Sequence, residues 1–100
     1  MRSVTTLIDS SPLTVRELAR AVGAEDQWVL RLVEVEILHV DAPDQPPEHW
    51  HFHSGDLQRA LAARRLERDF GANLDTAALI LDLQAELRRM RAILAAHRIA

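Results

Sequence analysis

The sequence predicts a mainly α-helical fold in which two short helices, joined by a tight turn, precede a small β-hairpin wing and a long C-terminal helix. Three patterns predict it. A capping box opens an apolar repeat of helical period near residue 14, and a proline-rich stretch at residues 41–48 separates two β-prone pieces. A leucine repeat then continues through residues 79–94 with no proline or glycine.

The first helix is expected to start just after Thr14. Thr14 and Glu17 have the spacing of a capping box, in which a hydroxyl and a carboxylate satisfy backbone N–H groups at the helix start. Gly23 is expected to end the helix, because glycine readily adopts the left-handed conformation found there. Residues 4–8, earlier in the chain, are β-prone and predict an edge strand. The apolar face of the helix comprises Val15, Leu18, Ala19 and Val22.

A second helix is expected from about residue 25 to residue 35. Glu25 and Asp26 favour its start, where the helix dipole is positive. The connection from the first helix is short and contains Gly23, so the two helices form a helix-turn-helix. The predicted buried face comprises Trp28, Val29, Leu32, Val33 and Val35.

Two β-prone pieces, residues 37–40 and 49–53, flank a polar loop. Pro43, Pro46 and Pro47 exclude helix from that loop. The pattern predicts a β-hairpin with an exposed tip, the wing of the domain.

The last two helices are separated by Gly71. Ser54 is expected to cap the first of them, which runs to about Phe70, and the terminal helix runs to about His97. The apolar residues of the terminal helix recur at spacings of four and three, as in a coiled coil. They form either an internal core stripe or a dimer seam, and we expect a homodimer seam. We therefore divide the chain into a winged helix-turn-helix domain at residues 1–71 and a dimerisation helix at residues 72–100. The predicted seam consists of Leu79, Leu83, Leu87, Met90 and Leu94.

The charge of this 100-residue chain is unevenly distributed. Its net charge is −3, with 12 arginines and no lysine. Residues 24–53 contain one arginine and seven acidic residues, a net charge of −6, and they include the second helix and the wing. A DNA-binding protein would present these elements to phosphates, so the distribution disfavours DNA and favours a basic protein partner. The predicted contact region comprises Glu25, Asp26, Trp28, Arg31, Glu34 and Glu36.

Catalytic and metal chemistry find little support in the sequence. There is no cysteine, no glycine-rich phosphate loop and no Ser-His-Asp pattern, so we expect no enzyme, metal or cofactor. His49, His51 and His53 alternate, but in a strand they would span about 13 Å, too far for one ion. A solvated strand face is the favoured interpretation, with a two-histidine metal site or a pH switch as the alternative. No run of 18 apolar residues and no signal-peptide pattern occur, so a cytoplasmic protein is expected.

The order of these elements resembles the MerR-like winged helix-turn-helix and, within it, the CbpM-like chaperone modulators. The similarity covers about residues 5–97, although the proline-rich loop is longer than the family pattern. The stretches that carry it are residues 13–18, 33–38, 50–52, 66–70, 74–83 and 87–91.

The resemblance implies a partner and a mechanism. Proteins of this kind bind the J-domain of a DnaJ-like co-chaperone of the CbpA type and limit both its stimulation of DnaK and its DNA binding. A J-domain presents a basic helix, which the acidic segment could occupy, and association with the nucleoid would then come through the partner. Two other functions stay open: a MerR-like regulator that binds operator DNA as a dimer, and a purely structural dimerisation module.

Overall fold

The computed structural model describes residues 11–99 of the chain. They form four α-helices, which we number in chain order, and one short 3-10 helix, so the predicted mainly α-helical fold is confirmed. The predicted edge strand at residues 4–8 lies outside the described residues. The elements are α1 (Val15–Val22), α2 (Asp26–Glu34), the 3-10 helix (Pro47–His49), α3 (Ser54–Phe70) and α4 (Leu74–Ile99).

Helices α1 and α2 form the predicted helix-turn-helix, and the capping box is confirmed. The Thr14 N–H donates to the Glu17 carboxylate at 2.9 Å, and the Glu17 N–H donates to the Thr14 hydroxyl at 3.1 Å. Gly23 follows α1 in the left-handed conformation, with φ of 71°. At the corresponding place after α2 the left-handed residue is Glu36, with φ of 65°.

The N-cap residue of helix α3 differs from the expected one. His53 is the N-cap residue, its backbone N–H donates to the Asp56 carboxylate at 2.8 Å, and Ser54 is the first helical residue. The predicted stop at Gly71 is confirmed, with φ of 66°. At the start of α4, the side-chain oxygen of Asn73 accepts the N–H of Thr76 at 2.8 Å.

The predicted β-hairpin wing is wrong for the described residues, because its two halves do not pair. Ile37 and Leu38 are buried, and their backbone N–H groups donate to the Leu32 carbonyl oxygen at the end of α2, at 2.8 and 3.1 Å. Phe52 instead pairs with Leu13 in one antiparallel bridge, with N–H to O distances of 2.7 and 2.8 Å. The first half of the expected hairpin thus ends a helix and fills the core, while the second half pairs with Leu13, two residues before α1.

All four helices contribute to one hydrophobic core. Phe52 is fully buried at its centre, and α4 enters the core through Leu74, Ala77 and Leu81. Beyond this segment α4 leaves the domain: Leu81 is its last buried residue among those described, and residues 82–98 are exposed except for the half-buried Ala85. At 1.5 Å per residue the 26 residues of α4 span about 39 Å. Among the described residues, no helix combines the length and the apolar character needed to cross a membrane.

Candidate protein-binding surface

Trp28, one of the predicted contact residues, connects α2 to α3. Its indole N–H donates to the Glu67 carboxylate at 2.9 Å, and the Arg64 guanidinium lies 5.5 Å from the ring centroid. Arg64 also donates to the Gly23 carbonyl oxygen at 2.9 Å. The Trp28 side chain is partly buried by these contacts, so it holds two helices together on this face.

The carboxylates of the predicted contact region differ in their partners. Asp26 lies 3.6 Å from Arg16 of α1, and Glu34 lies 3.9 Å from Arg31. Both pairs are exposed, where an ion pair contributes little to stability. Within residues 11–99, the other acidic residues of segment 24–53 form no ion pair, and these are Glu25, Glu36, Asp41, Asp44 and Glu48.

The six predicted contact residues do not share one face of the molecule. Glu25 and Trp28 border a recess between α2 and α3, which Arg31 and Arg64 also line. Glu34 borders a different recess, on the side of α2 that faces the proline-rich loop. Asp26 faces α1 through its pair with Arg16, and Glu36 lies in the turn after α2.

The recess between α2 and the proline-rich loop was not foreseen from the sequence. Its volume is about 600 Å³. Leu30 and Val33 of α2 line one side, and Trp50 lies at the end of the loop. These three side chains are partly buried and leave apolar surface in the recess. Pro43 and Pro47 complete the opposite side.

A second recess continues the first toward α1. Both are lined by Leu30 and Pro47, and we call the two recesses together the α2–loop groove. The charged residues of the second recess are Arg16, Asp26 and Glu48. The sequence contained one signal of this groove, an isolated tryptophan close to a Pro-Pro pair, but the side of α2 that it faces depends on the fold.

The three alternating histidines do not lie on one strand. His49 ends the 3-10 helix, His51 is exposed, and His53 caps α3. Within residues 11–99 no three His, Cys, Asp or Glu side chains are grouped so that they could hold one metal ion.

Helix α4 exposes a row of large apolar side chains beyond the core. Each is between 48% and 65% exposed, and none of them lies in the core cluster. The row comprises the five predicted seam residues Leu79, Leu83, Leu87, Met90 and Leu94, together with Ile93.

Comparisons with known proteins agree with this architecture. A family model described as "MerR HTH family regulatory protein" matches residues 13–96, from the start of the helix-turn-helix through most of α4. Proteins named "Chaperone modulatory protein CbpM" from two strains of Coxiella burnetii, Dugway and RSA 331, are each 30% identical to the chain over 81 residues. The alignments cover 81% of this chain and 74% of each relative. No solved structure matched the chain. Both descriptions are of regulators rather than enzymes, and the chain belongs to the MerR-type helix-turn-helix family as a CbpM-like member.

Proposed function

We propose that this protein is a chaperone modulator of the cytoplasm that binds the J-domain of a DnaJ-like co-chaperone of the CbpA type. Binding would inhibit both the co-chaperone activity and the DNA binding of that partner. The observation that carries the proposal is the concentration of carboxylates on α2 and the segment after it, seven acidic residues against one arginine in residues 24–53, in a chain 30% identical to proteins named chaperone modulatory. These carboxylates are complementary to a basic helix, which the family resemblance gives to the J-domain.

The test is isothermal titration of this protein into a purified J-domain from the same host. We expect binding that weakens as the salt concentration rises from 50 to 300 mM, because opposite charges on exposed surfaces are screened. The protein should also reduce J-domain stimulation of the DnaK ATPase. Absence of binding at low salt would contradict the proposed function.

Operator DNA is the second candidate ligand, because the matching family is described as a helix-turn-helix regulatory protein and such a motif can place its second helix in a major groove. The charge of α2 argues against it. Asp26 and Glu34 lie on this helix, and its one arginine, Arg31, is 3.9 Å from Glu34. A helix of this charge would repel phosphates in a major groove. An electrophoretic shift with host promoter fragments at low salt would favour DNA, and we expect none.

We also propose that residues 72–100 form a dimerisation helix through the exposed row of α4. A coiled coil would cover this row, and its spacing suits one. Replacing Leu83 and Leu87 by glutamate should yield a folded monomer in light scattering after size exclusion. The matched control is Ala92→Glu, since Ala92 lies on the opposite side of α4. A monomeric wild type, or a dimeric L83E/L87E variant, would contradict the proposal.

A further inference from the structure

Hydrogen bonds within the proline-rich loop restrain one wall of the α2–loop groove. The Trp50 indole N–H donates to the Ala42 carbonyl oxygen at 3.2 Å, and the Gln45 N–H donates to the same oxygen at 3.0 Å. The His49 N–H donates to the Pro46 carbonyl oxygen at 2.8 Å. These bonds restrain the proline-rich loop, so a partner has less of it to order on binding.

Charge distinguishes this groove from the recess between α2 and α3, which it meets at Gln27 and Arg31 of α2. The α2–loop groove is lined by Asp26, Glu34 and Glu48 against Arg16 and Arg31. The recess between α2 and α3 is lined by one carboxylate, Glu25, against two guanidinium groups, Arg31 and Arg64. The balance of these charges favours a basic partner in the first recess over the second.

The surroundings of the groove also bear on the shape of its occupant. Within residues 11–99 the only β pairing is the bridge between Leu13 and Phe52, so the groove offers no strand edge to extend. It offers an apolar floor between charged borders, and amphipathic helices bind surfaces of this kind with their apolar side chains at helical spacing.

We propose that the α2–loop groove is the docking site of one basic amphipathic helix of the partner. The apolar face of that helix packs on Leu30, Val33 and Trp50, and its cationic side chains lie beside Glu34 and Glu48. The inference rests on the proposed J-domain function and specifies the surface of this protein that performs it.

The two tryptophans report on two different recesses beside α2. Trp50 lines the α2–loop groove, whereas Trp28 lines the recess beside α3. Because the chain contains two tryptophans, its ¹H–¹⁵N spectrum has two indole signals, which the W28F variant assigns. On titration with the J-domain we expect the Trp50 signal to shift or broaden and the Trp28 signal to change far less. The reverse pattern would overturn the proposal. A Trp50 signal that shifts on concentrating the free protein would also overturn it, by assigning the groove to a second copy.

Two double charge reversals provide a matched comparison. E34R/E48R alters the borders of the groove, and E25R/E36R changes the net charge equally at carboxylates outside its lining. At 0.15 M salt the Debye length is about 8 Å, so contacts at short range dominate the difference. We expect J-domain affinity to fall about tenfold for E34R/E48R and no more than about twofold for E25R/E36R.

The outcomes separate this proposal from the proposed function. If the wild-type protein does not bind the J-domain, the proposed function fails and the docking site fails with it. If the wild type binds and the two double variants weaken binding equally, only the assignment of the groove fails. Circular dichroism identifies a variant that does not fold, in which case the indole shifts of the wild-type protein decide.

Discussion

Three residues with left-handed backbone conformations, Gly23, Glu36 and Gly71, end α1, α2 and α3 respectively. Two are glycines, which adopt this conformation without a steric penalty. The third is a glutamate, whose Cβ crowds the neighbouring carbonyl oxygen. The backbone at Glu36 is therefore strained, whereas the backbone at Gly23 and at Gly71 is not.

Replacing Glu36 by glycine should stabilise the protein by about 0.5–1 kcal/mol. Relief of the left-handed penalty exceeds the conformational entropy that glycine adds to the unfolded chain. Urea unfolding followed by circular dichroism measures the change.

Gly23→Ala is the matched control and should destabilise the protein by about 1 kcal/mol. A Cβ placed on Gly23 would meet no heavy atom within 4 Å, so the cost is purely conformational. Unchanged stability in both variants would contradict the assignment of strain to Glu36.

The hydrogen bond between Trp28 and Glu67 should contribute about 1 kcal/mol to stability. The two residues are 39 positions apart and connect α2 to α3. In a double-mutant cycle, Glu67→Ala should be costly in the wild-type background and much less costly in W28F, where the N–H donor is absent. Glu67→Gln retains an acceptor oxygen and should be nearly neutral. Equal costs of Glu67→Ala in both backgrounds would show that the bond does not contribute.

At the scale of one element, the N-terminus of α1 depends on Thr14. The helix has eight residues, too few to be stable alone, so its cap and its packing decide whether it forms. Thr14→Ala should cost about 1 kcal/mol in thermal or urea unfolding, because the Glu17 N–H loses its acceptor. Thr14→Ser retains the hydroxyl and should be close to wild type. A cost for serine equal to that for alanine would indicate that the methyl group matters and the cap does not.

The segment after α2 shows why the wing could not be predicted from residue types. Ile37 is β-branched and Leu38 is apolar, and the residue types of the whole piece 37–40 therefore predict a strand. Their backbone N–H groups are already bonded to Leu32, and their side chains fill the core. β-strand propensity describes how well a side chain fits a pleated surface. It does not show whether the backbone N–H groups of the segment will instead bond to the carbonyl oxygens at the end of a preceding helix.

At the scale of the whole molecule, α4 belongs to two environments. Leu74 and Leu81 are each 6% exposed, and their burial contributes about 3–6 kcal/mol. That is a large part of the stability of a typical domain, about 5–15 kcal/mol. The C-terminal half of the helix makes no comparable contribution, since its large apolar side chains are exposed.

Two truncations should separate these environments. A chain ending at residue 85 should stay folded and monomeric, with cooperative urea unfolding. A chain ending at residue 71, the boundary expected from the sequence, should be largely unfolded because it lacks Leu74, Ala77 and Leu81. Cooperative folding of the shorter chain would contradict the placement of α4 in the core.

The sequence was sufficient for the features that depend on neighbours three or four residues apart. The Thr14–Glu17 cap, the stops at Gly23 and Gly71 and the apolar repeat of α4 are all of this kind, and so the helices and their order could be predicted. The acidic character of segment 24–53 also follows directly from its residues. Pairings between distant residues depended on the tertiary structure: Phe52 with Leu13, Trp28 with Glu67, and Trp50 opposite Leu30. Local propensities cannot determine them, because each depends on which buried and hydrogen-bonded arrangement of the whole chain has the lowest free energy.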